Sequence, residues 1–362
     1  MRIGIIGCGN ISPQYFKGGQ LAGNLDVVAC ADLNQAAADT RAAEFDCKAL
    51  SVQELLSEDD IELVVNLTIP AVHVEVGMQI LDAGKHAYSE KPLAVELADG
   101  RKLLDYANER DLRLGCAPDT FLGGGIQTAR KVLDDQEIGS VIAGTAIWGS
   151  PGHENWHPSP AFYYDVGGGP MLDMGPYYIT ALVNMLGPVE SVAGYSSRFR
   201  DKRIATSKVA HGLEIDVKVD THVTGVMRFR NGALVTVIMS FDTQKPQPPL
   251  LELHGTDGSL SVPDPNGTGG PVRVFTPGEK DWSEVPLAYP PNARMFGVVD
   301  MVAGIEAGRP HRASGQLALH VLEVMHAFSQ SGREDRHIEI VADTDRPTIL
   351  PLGLDPWQPD TP

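Results

Sequence analysis

Positive charge is scarce in this chain of 362 residues, where 29 lysines and arginines face 47 aspartates and glutamates and the formal net charge is −18. A surface that tracks a phosphate backbone needs a basic footprint, so no nucleic-acid partner is expected. Cysteine is sparse too. Cys8, Cys30, Cys47 and Cys116 all lie in the first third and form no CxxC pair, which reads as free thiols in a reducing compartment. No run reaches the 18 apolar residues of a membrane span, and the start, Met1-Arg2-Ile3-Gly4-Ile5-Ile6, lacks the long apolar stretch of a signal peptide. A cytoplasmic protein with no membrane partner is the expectation. No repeat or coiled coil is visible, and the length suits two domains with separate cores.

What is present begins with glycine. Ile3 to Ile6 is a short apolar strand, and Gly7-Cys8-Gly9-Asn10-Ile11-Ser12 follows directly. In such a turn the first glycine permits the bend, the second admits a pyrophosphate, and a helix N-terminus supplies unpaired amides. Ser12 stands where a third glycine is usual, and Pro13 suits a first helical turn. Asp26 to Ala31 predicts a second strand, ended by Asp32. A carboxylate there can hold an adenosine ribose and repel a 2′-phosphate, favouring NAD over NADP; its plainer role is to cap the helix predicted over Gln35 to Phe45. Arg41 is the nearest arginine beyond it.

Ile61 to Leu67 predicts a strand ended by Thr68-Ile69-Pro70, at the edge where a parallel sheet presents ligands. Val72 to Leu81 has a helical pattern closed by Gly84. His73, in its first turn, is either a surface or capping side chain or a neighbour of the nicotinamide half of a cofactor. Lys85 to Ser89, Ala94 to Glu109 and Asp111 to Cys116 continue the alternation, which predicts an α/β fold with a doubly wound parallel sheet. Glu90-Lys91-Pro92 places a cation at the end of a strand.

The second half opens with a helix over Gly123 to Asp134 and a strand over Val141 to Trp148. Gly149 to Val166, with His153, Trp156 and His157, reads as a long ordered loop of the kind that often carries function. Gly167-Gly168-Gly169-Pro170-Met171-Leu172-Asp173-Met174-Gly175-Pro176-Tyr177-Tyr178 then leads into apolar Ile179 to Leu186. If the helix is under way by Asp173, the i,i+4 spacing puts Asp173 and Tyr177 on one face. Asn231-Gly232 predicts a two-residue hairpin turn between Thr224 to Phe229 and Ala233 to Ser240. Further strands are expected over Leu250 to His254, Leu260 to Val262, Val272 to Phe275 and Ile338 to Val341, and helices over Met295 to Ala307 and Ala313 to Ser329. Basic residues of Ser197 to Gly212 are placed to touch substrate or a neighbouring subunit. Phe241 to Pro249 reads as a crossing or subunit loop, and Arg309, His311 and Arg312, between two helices, as a capped surface turn rather than a small anion patch. His153 and His157 lack a third ligand at a familiar spacing, so no metal is expected.

The nucleotide turn, the Ala83-Gly84-Lys85-His86 run before Glu90-Lys91-Pro92, the Thr68 to Pro70 loop followed by His73, and the glycine-rich run before Asp173 and Tyr177 together resemble the Gfo/Idh/MocA family of sugar and cyclitol oxidoreductases. The resemblance implies a Rossmann domain over residues 1–120 and an α+β domain over 121–341 built on an open, mainly antiparallel sheet. A tail over 342–362 follows, and a homodimer or homotetramer is implied. It implies NAD held by Gly7, Cys8, Gly9, Asn10, Ile11, Asp32, Thr68, Ile69, Pro70, His73, Glu90 and Lys91. Lys91, Asp173 and Tyr177 are the implied catalytic set, acting on a small carbohydrate, cyclitol or sugar-acid substrate met by Asp173 and Tyr177. Apart from the resemblance, His153, Trp156 and His157 of the long loop are candidate substrate contacts, and Asp119 either binds a substrate hydroxyl or caps the next segment.

Inositol-type members have histidine where this chain has Tyr177, and other members have tyrosine. A tyrosine hydroxyl and a lysine ammonium both keep their protons in neutral water, so each needs help from its surroundings to act as a base. Tyr178 competes with Tyr177 for that role. Ala117-Pro118-Asp119-Thr120-Phe121 departs from relatives with asparagine and arginine in this segment, which puts the identity of the substrate in doubt more than the reaction class. The expected activity is NAD-dependent oxidation of a secondary alcohol. Two alternatives stand beside it: a retained cofactor used for transient oxidation before elimination or glycosidic cleavage, and a regulatory protein that binds cofactor without chemistry.

Overall fold

The computed structural model describes residues 1–244 and 250–358. They divide into two compact units. The first comprises 1–123, 289–319 and the described part of 350–362, and the second 124–288 and 320–349.

The first unit is built on a six-stranded parallel sheet. Its elements begin with β1 (Arg2–Ile6), α1 (Ser12–Leu21), β2 (Asp26–Ala31), α2 (Gln35–Phe45), β3 (Lys48–Leu50), α3 (Val52–Ser57) and β4 (Leu63–Asn66). After a 3-10 turn at Pro70–Val72 come α4 (His73–Asp82), β5 (His86–Ser89), α5 (Leu97–Glu109) and β6 (Leu114–Cys116). The order is β3-β2-β1-β4-β5-β6, so the strand order reverses between β1 and β4, where open α/β sheets bind ligands. β4 is buried at every position, as expected of a parallel strand covered on both faces. The β3–α3 pair is additional to the elements expected from apolar periodicity. Its signal is a capping box: Ser51 Oγ accepts from Glu54 N–H (3.2 Å), and the Glu54 carboxylate accepts from Ser51 N–H (2.8 Å).

The second unit begins with α6 (Gly124–Asp134) and β7 (Val141–Gly149), then α7 (Pro170–Leu186) and β8 (Val189–Ser197). A two-stranded ribbon, β9 (Lys202–Ile204) with β10 (Glu214–Asp216), interrupts the sheet before β11 (His222–Phe229), β12 (Leu234–Ser240), β13 (Leu250–Gly255), β14 (Ser259–Val262), β15 (Val272–Phe275) and β16 (Ser283–Val285). With β17 (Ile338–Glu339) they form a sheet ordered β16-β15-β14-β13-β7-β12-β11-β8-β17. Every pairing is antiparallel except β12 with β7. That pair needs the long crossover through α7, and α7 packs back on β7, β11 and β12.

The β11–β12 hairpin differs from expectation. Phe229 N–H bonds Ala233 O and Gly232 N–H bonds Phe229 O, both at 2.9 Å, so the loop has three residues, Arg230 to Gly232. Only Gly232 takes positive φ, at 92°, the arrangement of a type I turn with a glycine bulge. Asn231 instead spends its side chain on Leu186 O and Ala233 N–H. The segment Phe241 to Pro249 is split: 245–249 lie outside the described residues, while Phe241 is buried.

The chain then returns to the first unit with α8 (Phe296–Glu306), and α9 (Gly315–Glu334) carries it back into the second. A single cut near residue 120 therefore does not describe the division. Residues 289–319 and 350–358 join the first unit because they hydrogen-bond to it. Cys116 N–H donates to Ala313 O (3.0 Å) and Gly23 N–H to Trp357 O (2.8 Å). Of the tail expected over 342–362, residues 359–362 lie outside the described residues. Arg309, His311 and Arg312 are more than a surface turn: both arginines pair with buried Asp300, and buried His311 contacts Leu114 O through Nε2 (3.2 Å). No helix among the described residues is long and apolar enough to cross a membrane.

Candidate active site

Within the first unit, one edge of the parallel sheet gathers the expected nucleotide residues. Gly7 follows β1 with φ +103°, and a Cβ there would stand 2.6 Å from the carbonyl carbon of Leu67, so no other residue fits without moving β4's exit. A Cβ on Gly9 would meet nothing within 4 Å. The turn is thus tight at its first glycine and open at its second, as a pyrophosphate cradle at the start of α1 requires. Asn10 and Ile11 complete it, with Asn10 exposed.

Asp32 fixes this turn from the end of β2. Its Oδ2 accepts from Cys8 N–H and its Oδ1 from Asn34 N–H, both at 2.8 Å. Helix α2 has Asn34 as its N-cap residue, so Asp32 serves the glycine turn as well as its own loop. Leu33 beside it is 99% exposed. Ser12 Oγ donates to Gly9 O (2.8 Å) and accepts from Arg41 Nε (3.1 Å). Arg41, remote in sequence, therefore reaches the turn.

After β4, buried Asn66 organises the Thr68-Ile69-Pro70 loop. Its Oδ1 accepts from Thr68 Oγ1 (2.6 Å) and its Nδ2 donates to His73 O (3.0 Å). His73 is neither a surface nor a capping group. It is buried, with Nδ1 2.7 Å from Pro92 O and Nε2 2.9 Å from Thr68 O, so it ties the loop after β4 to the loop after β5. Burial pushes its pKa down against the pull of those two carbonyls.

Glu90, Lys91 and Pro92 follow β5. Buried Glu90 accepts from Tyr15 OH through Oε1 (2.7 Å) and from Lys91 N–H through Oε2 (2.9 Å). Lys91 is half-buried. Asp119, expected to meet substrate, is placed otherwise. It is 1% exposed, accepts from Gly297 N–H at the start of α8 (3.1 Å) and lies 3.6 Å from Arg294 Nη1. Its carboxylate is committed to holding α8 on the first unit. Burial raises its pKa, with Arg294 opposing.

In the second unit the histidines of the 150–166 loop come together with Asp173. Helix α7 starts at Pro170, so Pro176 lies inside it and Asp173 and Tyr177 are one turn apart. His153 Nε2 is 2.9 Å from Asp173 Oδ2, and Trp156 Nε1 is 3.3 Å from His153 Nδ1. An indole N–H can only donate, so Nδ1 accepts and Nε2–H donates to Asp173. Asp173 is 16% exposed at its side chain. Rings of Trp148, Tyr163 and Phe241 surround His153, and His157 packs between Trp156, Phe162 and Tyr163. Trp156 is 61% exposed. Tyr178 is removed from competition with Tyr177: it is fully buried, and its hydroxyl bonds Asp264 Oδ1 (3.2 Å). Burial and that carboxylate push its pKa up.

Beneath the histidines, a buried ion cluster fixes the loop. Arg203, 1% exposed at its side chain, donates to Glu154 Oε1 (2.8 Å), Pro151 O (2.9 Å) and Phe241 O (2.9 Å), and also pairs with Asp242. The Tyr164 hydroxyl bonds Glu154 as well. Arg203 was expected to face substrate or a subunit; it is instead the internal support of the loop. Its signal in sequence was faint, because it is one of several basic residues in a polar connection, with Arg198, Arg200, Lys202 and Lys208, and nothing local marks it as the buried one. His and Cys, Asp and Glu form no group suited to a metal among the described residues.

These features match known proteins. Residues 1–117 match the model of an oxidoreductase family with an NAD-binding Rossmann fold, and residues 126–261 match the GFO/IDH/MocA C-terminal domain. The chain is 32% identical over 204 residues to a dTDP-3,4-didehydro-2,6-dideoxy-alpha-D-glucose 3-reductase of Saccharopolyspora spinosa, a stretch covering 54% of this chain and 59% of that protein. It is 24% identical over 354 residues to an inositol 2-dehydrogenase of Rhizobium meliloti, covering 94% and 99%. A levoglucosan dehydrogenase solved in complex with NADH has the same fold, with TM-score 0.81 and 18% identity over 95% of this chain and 100% of that one. The chain belongs to the Gfo/Idh/MocA family of oxidoreductases.

Proposed function

We propose that this protein oxidises a secondary alcohol of a small sugar, cyclitol or sugar acid with NAD, reversibly. The observation that carries the reading is Asp173, held in the first turn of α7 by the Nε2–H of His153 inside a ring-lined loop. A carboxylate so oriented is of the right chemistry to accept from a substrate hydroxyl, and the rings around His153 suit the apolar face of a sugar. Bound NAD would supply the hydride acceptor. Gly7, Cys8, Gly9, Asn10 and Ile11 would hold its pyrophosphate, Asp32 its ribose, and Thr68, Ile69 and Pro70 would line its path, which the open cradle at Gly9 supports. Lys91 and Tyr177 share the proton of the hydroxyl undergoing oxidation, and Asp173 orients the substrate. His153, Trp156 and His157 contribute contacts around it.

Asp32 argues for NAD, since its carboxylate would stand against a 2′-phosphate. The test is absorbance at the reduced nicotinamide band with NAD and NADP against a panel of sugars, cyclitols and sugar acids. Turnover at least about tenfold better with NAD, with the preference narrowed in Asp32→Ala and the rate lost in Tyr177→Phe, supports the reading. Reduction of neither cofactor by any alcohol would sink it.

A further inference from the structure

The expected site contains no role for Tyr15, yet this tyrosine is fully buried and joins the two ends of the nucleotide edge. It sits on α1, one turn beyond the glycine turn, and its hydroxyl donates to Glu90 Oε1 at 2.7 Å. The other oxygen of the same carboxylate accepts from the backbone N–H of Lys91 at 2.9 Å. Glu90's own N–H is held by Asn66 O at 2.8 Å, and on the far side His73 approaches Pro92 O at 2.7 Å. The carboxylate is therefore locked between a helix that carries the cradle and the backbone that carries the lysine. Tyr15 is a brace of this loop that comes from that helix.

We propose that Tyr15 is a positioning residue: through Glu90 it couples the dinucleotide helix α1 to the placement of Lys91. The inference rests on the reading of Lys91 above but can be tested apart from it. Tyr15→Phe keeps the ring and deletes the hydroxyl that donates to Glu90 Oε1; hydrogen bonds to charged groups are among the stronger ones, so effects of about tenfold are expected. In the cofactor-free protein, the rate at which an amine reagent modifies Lys91, read by peptide mass spectrometry, rises about threefold or more in Tyr15→Phe and equally in Glu90→Gln, with other lysines unchanged. On an alcohol that the wild type oxidises, kcat falls about tenfold while the Kd for NAD stays within about twofold, and Tyr15→Phe adds nothing further in a Lys91→Ala background. Unchanged or slower labelling of Lys91, faster labelling of all lysines, or additive losses with Lys91→Ala would each overturn the coupling. Should no alcohol be oxidised, the dehydrogenase reading fails and the labelling still decides the role of Tyr15.

Discussion

At the scale of single residues, the molecule separates side chains that look alike in sequence. Tyr177 and Tyr178 are neighbours, and Tyr178 has its hydroxyl spent on Asp264 within a sealed core. His153 and His157 are four apart, and His153 is the one seen to meet Asp173, through Nε2, while His157 packs among Trp156, Phe162 and Tyr163. We expect His153→Phe, which keeps ring packing and removes the Nε2–H donor, to lower kcat/KM about tenfold to a hundredfold while leaving NAD affinity unchanged. Wild-type kcat/KM in that variant would show that Asp173 does not depend on His153. Such pairings explain what could be read beforehand. Gly7, Gly9, Asp32, Lys91, Asp173 and Tyr177 belong to short motifs whose chemistry is local. Tyr15, Asn66, Glu154 and Arg203 act through contacts with residues distant in sequence, and a buried polar side chain carries no mark of its burial until the partner is known. Asp119 shows the converse: a carboxylate in a promising segment turns out to hold Gly297 and Arg294.

At the scale of elements, continuous apolar strands and amphipathic helices were the most legible parts, and β2, α2 and β15 have the bounds their patterns predict. Short polar elements such as β9, β10 and β16 were not legible, because their pairing depends on a neighbour rather than on their own period. The segment joining α8 to α9 is stabilised by His311, whose Nε2 meets Leu114 O beside β6. Burial pushes this histidine down to about 4, with Asp300 opposing. An unfolded histidine titrates near 6.5, so the unfolded chain takes up the proton first. The neutral ring's stabilisation is then whole above about pH 6.5 and is lost as pH falls toward 4, about 3 kcal/mol at most. His311→Gln retains a donor without the titration. Its Tm should fall less between pH 7 and pH 4.5 than that of the wild type, and parallel declines would contradict this account.

At the scale of the whole molecule, the two family-matched stretches correspond to two separately cored units, but the chain is not divided into successive blocks. Residues 289–319 and 350–358 return to the first unit, a fact that no composition shift announces, since helices α8 and α9 have ordinary apolar patterns whichever core they join. The excess of acid, −18 overall, bears on solubility and says little about either site, where local groups set the field. The central claim is that Lys91 belongs to the machinery of alcohol oxidation by NAD. It is tested most directly by comparing wild type with Lys91→Ala in two assays on one preparation, NAD binding by calorimetry and reduced-cofactor formation with the best alcohol found. The account predicts binding within about threefold of wild type and a kcat lower by at least about a hundredfold, the scale of a lost acid/base group. A Lys91→Ala protein that turns over at the wild-type rate would contradict it.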